Sequence, residues 1–151
     1  MSDDGTAWLD QTQQEIWRNC LAATGRVVAQ MDAGLRKFGL GVPEYEILVN
    51  LSEAPERRLR MSDLAGAVRQ SRSRLTHTVS RLEKRGVVVR ENCTDDGRGV
   101  WAQLTPTGYD LVVEVAPHHV AEVRRILIDA VSPEDLAALG RAATRVLAVA
   151  D

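Results

Sequence analysis

The segment "SDLAGAVRQSRSRLTHTVSRLEKRG" (62–86) decides how the rest of the chain is read. Ser62 suits the cap of a short helix carrying Leu64, Ala65 and Val68, and Ser71 suits the cap of a second. In the second, Leu75, Val79 and Leu82 recur at helical spacing on one face, and Gly86 stands where a helix ends. Only Arg69-Gln70-Ser71 joins the two, a connection short enough to predict a helix-turn-helix. The outward face of the second helix then holds Ser73, Arg74, His77, Ser80, Arg81 and Lys84, with Arg72 and Thr76 beside them. Such a row of donors suits phosphates and the edges of bases, the N-terminal residues being best placed to read bases. Glu83 is the one acid in this helix.

Downstream the period changes. "VVVRE" (87–91) is β-branched, and "VWAQL" (100–104) alternates Val100, Ala102 and Leu104 against Trp101 and Gln103. The intervening "NCTDDGRG" is rich in turn residues, so the two runs predict a β-hairpin with a polar tip. At that tip Arg98, flanked by Gly97 and Gly99, suits a narrow minor groove, where the potential is most negative. Asp95 and Asp96 are expected to hold the loop, Asp96 orienting Arg98.

Helical patterns flank this unit. From Trp8 to Phe38 one stripe contains Ile16, Cys20, Val27, Met31, Leu35 and Phe38, and a second contains Trp17, Leu21, Thr24 and Val28. Two stripes make more apolar surface than one neighbour covers. A second helix follows Pro43, with Tyr45, Leu48, Val49 and Leu51, and "EAPERR" is expected to be a loop. Thr105-Pro106 opens a fifth helix expected to run to about Val131 with a kink at Pro117. Ser132-Pro133 opens a sixth with Leu136, Leu139, Ala143 and Val146 as its stripe. The fold class expected is therefore mainly α with a small β-hairpin in one domain, residues 1–151.

Charge is unevenly placed. Of 19 Lys/Arg and 21 Asp/Glu, the window from Glu56 to Val100 holds 11 and 6, which leaves 8 and 15 elsewhere. A basic middle between acidic ends points to a local polyanion-binding surface. No apolar run is long enough to span a membrane, and no charged-then-apolar leader opens the chain, so the cytoplasm is the expected location. Cys20 and Cys93 make neither a metal spacing nor a disulfide framework. No phosphate loop, nucleophile elbow, metal motif or paired-acid arrangement is present, which argues against an enzyme and against a cofactor.

The stretch 64–108 resembles the winged helix-turn-helix core of the MarR family of bacterial transcription regulators. Leu64, Ala65, Ser71, Thr76, Val79, Leu82, Glu83, Gly86, Val88 and Arg90 match that pattern, as do Asp96-Gly97-Arg98-Gly99, Leu104-Thr105 and Gly108. Two positions depart from it: Gln70, where the family is usually apolar, and His77, where it often has Arg.

The resemblance implies a homodimer in which helices from 8–40 and 106–151 interlock, with residues 43–104 as the DNA-binding region. It further implies a repressor released from a pseudo-palindromic operator by a small aromatic or anionic ligand. For that ligand the chain offers Trp17, Arg18, Tyr45, His118 and His119, although Trp17 and Tyr45 suit the core as well. Cys20 on an apolar stripe suits a buried structural thiol, with redox sensing as the alternative. Metal sensing through His118 and His119 is a further alternative, and a winged helix used only for protein contact is a remote one.

Overall fold

Local capping chemistry sets most of the helix boundaries in the computed structural model, which describes residues 6–92 and 99–149. Helix α1 (Gln11–Arg36) starts from a capping box, Asp10 Oδ1 accepting from Gln13 N at 2.8 Å and Gln13 Oε1 from Asp10 N at 3.0 Å. It therefore begins three residues after Trp8. Helix α2 (Val42–Glu53) is capped from two directions: Glu44 Oε2 accepts from Gly41 N at 3.0 Å, and Asp32 Oδ1 of α1 accepts from Val42 N at 3.2 Å. A 3-10 turn, Pro55–Arg57, leads to strand β1 (Arg58–Arg60) and helix α3 (Met61–Ala67). Helix α4 (Arg72–Lys84), strands β2 (Val88–Asn92) and β3 (Val100–Leu104), and helices α5 (Pro106–Val123) and α6 (Pro133–Leu147) complete the order.

Ser71, Thr105 and Ser132 cap α4, α5 and α6 as their sequences predict. Ser62 does not cap α3: the helix starts at Met61, Arg60 stands at its cap without a side-chain bond, and Ser62 Oγ lies 3.3 Å from Asp63 Oδ1. The expected loop after α2 contains β1, which pairs antiparallel with β3 and turns the hairpin into a three-stranded sheet ordered β1-β3-β2. Helix α5 passes through Pro117 but ends at Val123, and a π-helical segment, Arg124–Ile128, replaces its expected last turns.

The core gathers around α2, whose Ile47, Leu48 and Leu51 are fully buried. The inner faces of α3 and α4, the sheet residues Val88 and Ala102, and Val115 of α5 close on them. Burying these aliphatic side chains stabilises the fold by about 1.5–3 kcal/mol each before entropy is counted. Two contacts lock α4 into place. Arg85, past the end of α4, donates to Gly39 O (2.6 Å) and Phe38 O (3.0 Å), where Gly39 ends α1 at φ +67°. At the start of α5, Thr105 Oγ1 donates to Gly86 O (2.8 Å), and a Cβ on Gly108 would sit 2.1 Å from Val87 O. Only glycine fits that approach.

Two regions are left uncovered. The first fifteen residues of α1 are exposed, Trp17 by 57%, so the twin stripes bury only Met31 and Leu35 near its C-terminal end. Helix α6 buries nothing, although its stripe is the most strongly one-sided, and Val146 is 71% exposed. Cys20, on the free part of α1, is exposed rather than buried, because none of the described residues covers that half.

Candidate nucleic-acid interface

The turn between α3 and α4 is built without glycine. Arg69 takes the left-handed conformation (φ +50°), while Gln70 N donates to Ala65 O (3.1 Å) and Arg69 N to Gly66 O (3.3 Å). These two bonds close the end of α3 in a Schellman-type cap. Ser71 Oγ then accepts from Arg74 N at 3.3 Å, so α4 leaves the turn immediately. Gln70, one of the two departures from the family pattern, buries its Oε1 with no hydrogen-bond partner among the described residues.

Helix α4 buries Leu75, Thr78, Val79 and Leu82. Thr78, absent from the expected inner face, satisfies its hydroxyl on Arg74 O at 3.0 Å. Arg72, Ser73, Arg74, Thr76 and His77 form an exposed patch over the first two turns. Thr76 Oγ1 donates to Arg72 O (2.8 Å), which orients it along the helix.

The third turn is arranged differently from its sequence reading. Arg81 is drawn sideways, donating through Nε to Glu44 Oε1 of α2 at 3.1 Å and pairing with it through Nη2 as well. Ser80, half-buried, accepts from Arg90 Nη2 at 3.2 Å. The Arg90 guanidinium also pairs with Glu83, Nε to Oε2 at 2.8 Å, and Arg90 N donates to Glu83 Oε1 at 3.0 Å. Glu83 thereby fastens α4 to β2, and its charge is countered.

Between α4 and the base of the hairpin lies a hollow of about 420 Å³ lined by Arg60, Arg72, Thr76, Arg90 and Gly99. Three of those side chains are guanidinium groups. The sequence alone did not bring Arg60 here, because β1 was not legible. On the sheet's outer face the Arg58 and Arg60 guanidinium groups lie 4.9 and 5.4 Å from the Trp101 ring centroid. Asp96, Gly97 and Arg98, with Asp95 and Cys93, fall outside the described residues.

The residues proposed for a ligand do not all converge. A chamber of about 400 Å³ opens between α1, α2 and the end of α5. Tyr45 and His119 line it, their rings 4.6 Å apart. Burial holds the Tyr45 hydroxyl above its usual range and His119 below its own, so both are neutral at pH 7. His118 turns away to Phe38 (centroids 5.3 Å) and to Lys37, whose Nζ is 3.3 Å from His118 Nδ1. Trp17 and Arg18 stay on the free part of α1, Arg18 donating to Gln14 Oε1 at 3.3 Å. Glu46, Asn50, Ile126 and Leu127 line the chamber and were not anticipated. The two aliphatic residues arrive through the π-helical segment, which an α-periodic reading of residues 106–131 misplaces. Among the described residues no three His, Cys, Asp or Glu side chains gather as a metal site requires, and no helix is long and apolar enough to cross a membrane.

Comparison with known proteins bears on this arrangement. A model of the MarR family matches residues 38–99. The crystal structure of AbsC, a MarR family transcriptional regulator from Streptomyces coelicolor, is 48% identical with a TM-score of 0.90, over 94% of this chain and 96% of that one. Sco3205, a MarR family regulator from the same organism solved in complex with DNA, is 40% identical with a TM-score of 0.92, over 96% of this chain and 91% of that one. The transcriptional repressor MprA of Escherichia coli (strain K12) is 28% identical over 110 residues, 72% of this chain, and the match spans 62% of that protein's length. With near-complete coverage of relatives at 48% and 40% identity, this chain belongs to the MarR family of transcriptional regulators.

Proposed function

We propose that the chain is a sequence-specific regulator of transcription that binds double-stranded DNA as a homodimer and represses until a small ligand releases it. The exposed patch on the first two turns of α4 carries this reading. There Arg74, Ser73 and His77 meet base edges, and Arg72 with the guanidinium-lined hollow beside it takes phosphates. The Arg81–Glu44 pair keeps the third turn back from this role. In this reading the minor-groove contact falls to Arg98, which lies outside the described residues. That Sco3205 was solved with DNA supports the assignment.

The uncovered halves of α1 and α6 pair with the same surfaces of a second copy, together with α5. Two-fold symmetry sets the two α4 helices about 34 Å apart, one turn of DNA. The regulator works in the cytoplasm, and the ligand is a small aromatic molecule seated in the chamber of Tyr45 and His119. Cys20 is exposed on the single chain, yet it lies on the face that pairing covers, which favours a structural thiol over a redox sensor. Hydroxyl-radical footprinting on the chain's own promoter region tests the reading. Two protected half-sites one turn apart support it, and a single short footprint opposes the dimer.

A further inference from the structure

The chamber between α1, α2 and the end of α5 has a charge pattern that selects its occupant. Most of its wall is aliphatic, contributed by residues such as Val27, Val49, Ile126 and Leu127. Among the described residues lining it Glu46 is the single acid, while burial keeps Tyr45 protonated and His119 uncharged. Among the described residues no Lys or Arg lines it. Three cations near the chamber are engaged elsewhere: Arg125 bonds to Glu122 Oε2 (2.7 Å) and Gln30 Oε1 (3.1 Å), Lys37 reaches His118, and Arg36 pairs with Asp32 at 3.2 Å.

We infer that this chamber takes an aromatic or alicyclic amine, its apolar body among the aliphatic residues and its ammonium group at Glu46, and not an aromatic carboxylate. The inference rests on the proposal that the chamber is the ligand site at all. A carboxylate there would meet the like charge of the exposed Glu46 with no cation among the described residues lining the chamber, whereas an ammonium group gains a partner. Glu46 and Asn50 also line an adjoining hollow of about 230 Å³ with Val68 and Arg69. An amine drawn to Glu46 thus sits beside the α3–α4 turn that aims the reading helix.

Three probes of equal size separate the possibilities: 2-naphthylmethylamine, 2-naphthylmethanol and 2-naphthoate, titrated calorimetrically into the full-length protein at pH 7. The amine should bind tightest, the alcohol about fivefold more weakly, as suits one partly exposed ion pair, and the carboxylate weakest. Glu46→Gln should bring the amine down to the alcohol, and Ile126→Trp, which fills the chamber, should abolish binding of both. Carboxylate binding as tight as amine binding, or an amine affinity unchanged by Glu46→Gln, overturns the charge assignment while leaving the chamber as a ligand site. If none of the three binds, the chamber itself is not the ligand site and both readings fall.

Discussion

Arg81 Nε donates to Glu44 Oε1 at 3.1 Å, joining the third turn of the reading helix to the first turn of α2 across 37 positions of sequence. A cation that the periodic pattern assigns to DNA is thus occupied within the chain. Its side chain remains 60% exposed, so the pair contributes only about 0.2–1 kcal/mol to stability. Arg81→Ala should therefore lower the urea midpoint slightly and weaken operator binding far less than Arg74→Ala. The latter is expected to cost about 1–3 kcal/mol and to relax base preference. Competition binding against single-base operator variants distinguishes the two. An Arg81→Ala loss equal to that of Arg74→Ala would show that Arg81 leaves Glu44 for the DNA.

Gly108 and Gly86 offer a paired test of the contact between the end of α4 and the start of α5. A methyl group at Gly108 meets Val87 O at 2.1 Å, while one at Gly86 meets nothing within 4 Å but sits at φ +70°. Gly86→Ala should thus cost about 1–2 kcal/mol from the backbone alone. Gly108→Ala should cost more, about 3 kcal/mol, because backbone must move to admit it. Denaturant unfolding of both variants checks the order, and equal losses would refute the close approach.

How much of this was legible in sequence depended on how local each cause is. Helix α4 was, because Ser71, the Leu75/Val79/Leu82 spacing and Gly86 all act within one turn of their own positions. Strand β1 was not: "RLR" carries no pattern of its own and becomes a strand only by pairing with β3, more than forty residues away. The twin stripes of α1 implied that something covers them without indicating whether the same chain does, so Trp17, read as core ahead of ligand contact, is instead exposed on this chain. Glu44 and Glu46 carried no signal in the sequence reading. Their roles come from Arg81 and from the chamber wall, both set by tertiary packing.

Gln70 should be a point of weakness. Its buried Oε1 lacks a partner among the described residues, and an unsatisfied acceptor costs about 1–3 kcal/mol. Gln70→Leu should accordingly raise the unfolding free energy by about 1 kcal/mol, measured by urea denaturation. A destabilised variant would mean that the amide is satisfied in solution.

Stability should also respond to pH through His119. Burial lowers its pKa in the folded protein below the ordinary 6.5, so the unfolded chain binds a proton more readily. Stability is then full above about pH 6.5 and is lost as pH falls below it. His119→Phe removes this dependence, and its urea midpoint should change less than that of the wild type between pH 7.5 and 5.5. Parallel profiles would exclude His119 as the source.

The measurement closest to the central claim is the anisotropy of a labelled promoter fragment titrated with the full-length protein at several salt concentrations. If guanidinium groups on α4 and the hairpin neutralise phosphates in two half-sites, affinity should fall by about a thousandfold between 50 and 200 mM salt. Arg72→Ala should reduce that slope, while Arg74→Ala should weaken binding to the operator more than to random DNA. Affinity indifferent to salt, or an Arg74→Ala protein that binds like the wild type, would contradict the account.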